Sequence, residues 1–186
     1  MAKFTAEQLA NIQIDYGIVY VDYGETTERV LGPTRGGATF EATQQIRDIA
    51  FDGKNGKTKD MQHIDFIDAV LKLMTLAISN DDLEIAMPYL TKTGVDPDIT
   101  YTCDAANLGI IPGAAYFKNV TVFGKKTGGN YMKITVYNAM NEAPFSLAAV
   151  PKGEGTVNLE IYGHWEADEA DVVGKLFDIT NVASIA

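Results

Sequence analysis

The stretch AYFKNVTVFGKKTGGNYMKITVY, residues 115–137, predicts a β-hairpin and with it a mainly β chain. Residues 115–123 and 131–137 are rich in the β-branched and aromatic side chains that strands favour. The intervening residues contain the pair Gly128-Gly129, which suits the tip of a tight turn. We therefore expect two neighbouring antiparallel strands here.

The rest of the chain repeats this pattern of short apolar runs separated by turns that contain Gly or Pro. Further strands are predicted at residues 17–23, 26–31, 38–43, 46–51, 99–103, 145–150, 156–165 and 176–179. Residues 32–37, GPTRGG, are dense in breakers and predict a loop. Many short strands in 186 residues predict a single antiparallel β-sandwich or barrel-like domain, flanked by one short α-helix.

Residues 65–78 fit two structures. Phe66, Val70, Met74 and Ile78 recur every four residues, which favours a helix. The same residues also read as a strand that is apolar on both faces, and propensity does not decide between the two. Residues 79–82, SNDD, are a good N-terminal cap for a short helix that ends by about Leu90.

Residues 52–60 contain no apolar side chain and carry a local basic cluster in an acidic protein. The polar and basic residues of interest here are Lys54, Asn55, Lys57 and Lys59. Long polar excursions from compact domains are usually functional or mobile. A second charged stretch has the opposite sign, and its acidic residues are Glu166, Asp168, Glu169 and Asp171.

The composition excludes several classes of protein. Lys and Arg number 15 against 25 Asp and Glu, so the formal charge is −10 and a general nucleic-acid binder is not expected. A single cysteine, Cys103, excludes an internal disulfide framework, and we interpret it as a small apolar residue. No stretch approaches the roughly 20 apolar residues of a membrane span, and the N-terminus lacks the apolar region of a secretory signal.

No motif predicts an enzyme, a cofactor or a metal site. The glycines of residues 32–37 lack the Lys-Ser/Thr pair of a phosphate-binding loop, and residues 52–57 place lysines where a calcium loop needs carboxylates. No nucleophile signature accompanies His164, so we interpret it as a strand-end residue at a surface or subunit contact. His63 is interpreted as a solvated loop residue.

A more specific pattern covers residues 15–59. The segment GIVYVDYG (17–24) leads through LGPTRGGATF (31–40) to IRDIAFDG (46–53) and then to a loop rich in Gly and Lys. This order resembles the major tail tube proteins of long-tailed bacteriophages and prophages, especially those of Gram-positive hosts. The later strands and the single helix agree with that family in order.

The resemblance implies a tail-tube fold, in which six copies form a ring by sheet-to-sheet pairing and rings stack into a tube that conducts DNA. Under it, residues 65–78 form a strand and residues 79–90 supply the helix. Residues 52–65 become an extended loop to a neighbouring ring, and residues 1–13 and 178–186 become candidate arms. The basic residues Lys54, Lys57 and Lys59 would then meet the acidic stretch of another subunit, or that stretch would line the lumen.

The implied partners are further copies of the chain and the other tail proteins, namely the tape measure, the tail terminator and the distal tail protein. DNA would pass through the lumen without tight binding, and no membrane is involved. The expected location is the virion tail, after assembly in the host cytoplasm. Two alternatives stay open: a tube protein of a contractile tail, tailocin or secretion system, and, more remotely, a monomeric β-sandwich that binds carbohydrate through Tyr16, Tyr20, Tyr23, Tyr162 and Trp165.

Overall fold

The computed structural model describes residues 5–13, 17–53, 56–76, 79–147, 155–167 and 172–185. The helices among them are α1 (Ala6–Ala10) and α2 (Asn80–Ala86). The strands are β1 (Val19–Val21), β2 (Arg29–Val30), β3 (Thr34–Asp48), β4 (Gln62–Thr75), β5 (Thr91–Thr93), β6 (Thr100–Thr102), β7 (Phe117–Lys125), β8 (Tyr131–Asn141), β9 (Val157–Tyr162), β10 (Glu166–Ala167), β11 (Val172–Val173) and β12 (Phe177–Val182). The chain is therefore mainly β, as predicted.

Eight of these strands form one antiparallel sheet that folds over on itself at β8. The order is β2-β1-β7-β8-β9-β4-β3, and β12 also pairs with β8. The first part of β8 pairs with β12, whereas Met140 and Asn141 at its end pair with β9. Asn138 lies between the two parts with φ 46, a left-handed conformation that Asn tolerates better than most residues. Strand β8 thus joins the two layers of a β-sandwich-like domain.

The core lies between the two layers. Leu71 and Leu159 from β4 and β9 pack in one cluster with Val120 and Val136 from β7 and β8. Along β9, buried side chains alternate with more exposed ones, which is the period-2 pattern of a half-buried sheet, whereas β4 and β7 have buried residues on both faces. The rings of Phe40 in β3 and Phe177 in β12 approach to 5.1 Å between centroids. The two layers of the sandwich therefore contact each other through these two rings as well as through β8.

Helix α2 closes one side of this core through Ile85 and Ala86, which are both buried. Its start is the predicted cap: the Ser79 hydroxyl accepts from the Asp82 backbone N–H, and the Asp82 carboxylate accepts from the Ser79 N–H. This reciprocal pair satisfies two backbone donors that a helix start leaves free. The predicted helix is confirmed, and it ends at Ala86, before Pro88.

The sequence left open whether residues 65–78 form a helix or a strand. In the described part, residues 65–76, they belong to strand β4, which ends at Thr75. Strand β4 pairs with β3 on one edge and with β9 on the other. Its backbone hydrogen bonds are thus supplied from both sides, which a helix in this place would forgo. The apolar residues on its two faces are covered by the core and by neighbouring strands, so Ala69, Val70 and Leu71 are all buried.

Several local predictions were wrong. Residues 32–37 were predicted to be a loop, but β3 begins at Thr34. The strand includes Gly36 and Gly37, whose φ angles are 77° and 82°, and its register against β4 shifts at these residues. The strands predicted at 38–43 and 46–51 are parts of one strand that ends at Asp48, because its pairing with β4 continues past a register shift between Gln45 and Ile46. Residues 145–147 are not a strand, and residues 148–150 lie outside the described part.

Three further residues or segments differ from expectation. Cys103, which was interpreted as a small apolar residue, is exposed. His63 lies in β4 and not in a loop, although it is exposed as expected. Helix α1 was not predicted, yet its sequence signal exists: Thr5 and Gln8 form a reciprocal capping box three residues apart.

Candidate assembly surface

The outer half of the β3–β4 hairpin extends beyond the sandwich. We call this part, residues 41–48 of β3 and 62–68 of β4, the distal hairpin. Nearly all of its side chains are exposed on both faces, whereas β4 becomes buried from Ala69 onward. A two-stranded ribbon with no layer packed on it adds little stability of its own. Its length therefore points to a role outside the subunit.

One face of the distal hairpin continues the core face of the sandwich. In β3, Phe40 packs against the core. Ile46 follows six residues later and lies on the same face, because side chains alternate between the two faces of a strand. Ile46 stands directly opposite Ile64, and Gln44 stands opposite Ile67. Ile46 and Ile64 are 48% and 50% exposed. We call Ile46, Ile64 and Ile67 the apolar stripe.

The opposite face of the distal hairpin carries ion-paired side chains together with Phe66. Asp65 occupies a bulge in β4, where the register against β3 shifts, and its carboxylate accepts from Arg47 Nε at 3.1 Å. His63 Nδ1 lies 2.9 Å from the same carboxylate. These two neighbours, Arg47 first, lower the pKa of Asp65 below its usual value. This face also carries Phe66, which stands opposite Gln45 and is 46% exposed, so the ion-paired side is not free of exposed apolar surface.

A second ion pair stands where the hairpin leaves the sandwich. Lys72 Nζ donates to Glu41 Oε2 at 2.6 Å, and this hydrogen bond raises the pKa of Lys72. Exposed pairs of this kind contribute about 0–1 kcal/mol each. They orient the charged face more than they hold the hairpin.

Two long strand edges are unpaired within the described part of the chain. Strand β3 pairs only with β4, and β12 pairs only with β8. Such edges present rows of backbone donors and acceptors that another chain can pair with. The segment 178–186, a candidate arm by resemblance, begins inside β12.

The residues singled out from the sequence are only partly described. Lys57 and Lys59 are exposed at the turn of the β3–β4 hairpin, and Glu166 is exposed in β10. Lys54, Asn55, Asp168, Glu169 and Asp171 lie outside the described residues. Within the described part of one subunit, no ion pair joins either lysine to Glu166. Their predicted contact between subunits stays a prediction.

His164 is tied into the bend of β8. Its Nδ1 lies 2.9 Å from the Asn138 carbonyl oxygen and its Nε2 lies 3.0 Å from Glu142 Oε1. The amide of Asn138 donates back to the His164 carbonyl at 3.1 Å. These contacts give the histidine a local role in fastening β8 to the segment after β9. In the described part of the chain, no Ser, Thr or Cys side chain forms a hydrogen bond with His164.

The structure describes four of the five aromatic residues of the carbohydrate alternative, and two of them pack against a buried ring. Tyr20 and Tyr23 pack edge-to-face with the buried Phe123, with ring centroids 5.2 to 5.7 Å apart. Trp165 is half exposed on the segment after β9, beside a depression of ≈ 290 Å³. Tyr16 lies outside the described residues.

The described residues lack two features that other functions would use. No group of three or more His, Cys, Asp or Glu side chains there is arranged to hold a metal ion. None of the described helices has the length and apolar character to cross a bilayer.

Comparisons with known proteins give limited likeness. No family model matches the chain, and no curated protein matches it. Among solved structures, it is similar to a chain in the virion of a native gene transfer agent particle, with 9% identity and a TM-score of 0.47 over 88% of this chain and 95% of the other. It is also similar to a chain in the anti-feeding prophage baseplate, with 10% identity and a TM-score of 0.48 over 100% of both chains.

Proposed function

We propose that this chain is a non-catalytic structural subunit of a bacteriophage tail tube, in which six copies close into a ring and rings stack into a conduit for DNA. Its partners would be further copies and the proteins that end and fill the tail. It would reside in the virion tail after assembly in the host cytoplasm. The resemblance of residues 15–59 to tail tube proteins supports this proposal.

The observation that carries the proposal is the apolar stripe. Burying an isoleucine side chain fully is worth about 1.5–3 kcal/mol. Because Ile46 and Ile64 are half exposed, about 1 kcal/mol each remains to be gained when something covers them. A second copy of the chain is a suitable cover, since a sheet or hairpin face of the same kind matches the pleat of the distal hairpin.

Strand edges support the same conclusion. An unpaired edge as long as β3 invites uncontrolled association unless it is covered or paired. A closed ring of copies pairs such edges without leaving one open. In this arrangement, backbone hydrogen bonds and apolar contacts provide the cohesion, and exposed ion pairs involving Lys57 and Lys59 would set the register.

Charge supports the passage of DNA. The chain has a net charge of −10, so a ring of copies repels a polyanion over roughly 8 Å, the screening length at physiological salt. Each lysine or arginine contact to a phosphate adds affinity through counterion release and would slow transit. A conduit of acidic subunits would therefore let a duplex pass without tight binding.

The test is assembly of the purified protein, observed by negative-stain electron microscopy across a concentration series. Wild type should form rings or tubes, and the double variant Ile46→Ser/Ile64→Ser should need about 30-fold more protein, which corresponds to the roughly 2 kcal/mol at stake. The control Val30→Ser/Val95→Ser removes two exposed aliphatic side chains elsewhere and should assemble like wild type. A wild-type protein that stays monomeric at every concentration and is absent from tails would refute the proposal.

A further inference from the structure

The segment between α2 and β7 lies outside the core. We call residues 88–114, all of which the structure describes, the lobe. None of them is buried, whereas Met87 before the lobe packs against the core and Ala115 after it is buried. Strands β5 and β6 of the lobe pair with each other and with no other strand in the described ranges. The lobe is therefore a small unit that lies on the surface of the sandwich.

Hydrogen bonds connect the parts of the lobe to one another. The side-chain amide of Asn107 donates to the Tyr89 carbonyl oxygen at 2.8 Å and to Thr91 Oγ1 at 3.3 Å. Asp104 caps the 3₁₀ turn Ala105–Asn107, which follows β6. The turn, β5 and the start of the lobe are thus coupled, so a movement of one part affects the others.

Helix α2 is where the lobe is fastened to the sandwich. Lys92 Nζ donates to Glu84 Oε2 at 3.3 Å, and the Tyr101 hydroxyl donates to the Asn80 carbonyl oxygen at 2.7 Å. The side-chain amide of Asn80 donates to Asp96 Oδ1 at 3.0 Å. Asn80 and Glu84 are four residues apart and so lie on one face of α2. This face of the helix therefore holds the lobe, while its buried face belongs to the core.

The contacts that fasten the lobe are weak. The Lys92 and Glu84 side chains are 41% and 37% exposed, and ion pairs with this exposure add little stability. Intramolecular hydrogen bonds also contribute modestly, because each one replaces bonds to water. Within the described residues, no member of the lobe belongs to the core cluster or packs against it. The lobe therefore lacks the core contacts that hold the two layers together.

Glu84 keeps a partner when the lobe leaves. Its Oε2 also accepts from Arg29 Nη1 at 3.2 Å, and Arg29 belongs to β2 in the sandwich. Opening the lobe thus breaks the contact with Lys92 without leaving the carboxylate unpaired. Arg29 Nε is buried and has no acceptor in the described part of the chain. A buried donor of this kind costs free energy, so the closed joint is less stable than a fully hydrogen-bonded one.

We propose that the lobe opens from the sandwich as one unit while α2 and both layers stay folded. Gly113 provides a hinge where the lobe ends, because an added Cβ there would meet no atom within 4 Å and glycine restricts the backbone least. Leu108 and Ile110, which are 82% and 100% exposed, move with the lobe. This opening is a property of the isolated subunit and does not require a tube.

The open state exposes backbone amides that the closed state protects. Strands β5 and β6 have three residues each, and a two-stranded ribbon of this size is not stable by itself. The hydrogen bonds between them therefore break when the lobe leaves α2. Exchange of these amides with solvent thus reports the opening.

Hydrogen exchange of the whole protein in a urea series below its unfolding transition tests the opening. The amides of β5 and β6 should exchange at least about 100-fold faster than the paired amides of β7 and β8. Urea should change their rates little, since local opening exposes little surface, but should accelerate exchange in β7 and β8, which requires global unfolding. Equal protection and equal urea dependence in both pairs of strands would overturn the proposal.

A single hydroxyl distinguishes opening of the whole lobe from fraying of one strand. Tyr101→Phe removes the bond to Asn80 and should accelerate exchange about fivefold in β5, β6 and the 3₁₀ turn alike, with β7 and β8 unchanged. The control Tyr89→Phe removes a half-exposed hydroxyl that forms no hydrogen bond among the described residues, and its rates should equal those of wild type. Acceleration restricted to β6 would show fraying, and acceleration that extends to β7 and β8 would show unfolding of the whole subunit. Either result excludes a lobe that opens as one unit.

Discussion

Replacement of Asn141 by alanine should destabilise the subunit strongly, because this one side chain connects three elements. Asn141 is 3% exposed at the end of β8. Its amide donates to the Ala86 carbonyl at the end of α2 at 2.8 Å, and its carbonyl oxygen accepts from the Glu160 backbone N–H in β9 at 2.8 Å. Alanine would leave both backbone groups without these partners.

The expected loss follows from the cost of leaving buried polar groups unsatisfied. Each such group costs about 1–3 kcal/mol. A value of about 1.5 kcal/mol per group gives about 3 kcal/mol for the two. For a chain of this size, that corresponds to a decrease in Tm of about 6–12 °C. Asn141→Asp provides a second test. It keeps an acceptor for Glu160 but places a negative oxygen against the Ala86 carbonyl, so it should also be destabilised at neutral pH.

Thermal unfolding followed by circular dichroism measures the effect, with Asn158→Ala as the control. Asn158 is an exposed asparagine in β9, so its loss should change stability by no more than about 0.5 kcal/mol. A Tm of Asn141→Ala within 2 °C of the control would refute the reasoning, since it would mean that α2 is not held to the sheets by this side chain.

Two further predictions concern a close approach and a titrating pair. A Cβ at Gly17 would lie 1.7 Å from the Phe123 carbonyl oxygen, so Gly17→Ala should lower the free energy of unfolding, measured in urea, by at least about 3 kcal/mol. At Gly113 an added Cβ would have no atom within 4 Å, so the control Gly113→Ala should be as stable as wild type. Equal stability of the two variants would contradict this prediction. Hydrogen bonds from Lys175 and, second, from Tyr137 lower the pKa of the Asp178 carboxyl in the folded state. The ionised carboxylate therefore stabilises the fold above the unfolded-state pKa of about 3.9, and this stabilisation is lost as the pH falls through the lower folded-state pKa. The Tm difference between wild type and Asp178→Asn should therefore shrink below about pH 4, and a difference that stays constant from pH 7 to pH 3 would exclude this linkage.

Local patterns in the sequence predicted many of the strands. The hairpin of β7 and β8 was predicted because both alternation and turn residues are encoded within 23 contiguous residues. Helix α2 was predicted because its cap is local as well. Strand β4 was ambiguous, since its apolar residues satisfy both periods, and only its pairing with β3 and β9 decided the matter.

The candidate surfaces were less predictable than the fold. Residues 52–60 were expected to be a functional excursion, and the structure places their described part at the turn of a long hairpin. The apolar stripe was missed, because the alternation around Ile46 shows which face it occupies but not whether anything covers that face.

By itself, the sequence determined the acidity, the strand-rich character, the cap of α2 and the scarcity of residues for metal or nucleophilic chemistry, because each of these depends on composition or on neighbours along the chain. Only the tertiary structure decided that β8 belongs to both layers and that β3 and β4 extend past the core. These features depend on which distant strands pair and where the layers end, and hydrophobic periodicity carries no information about either.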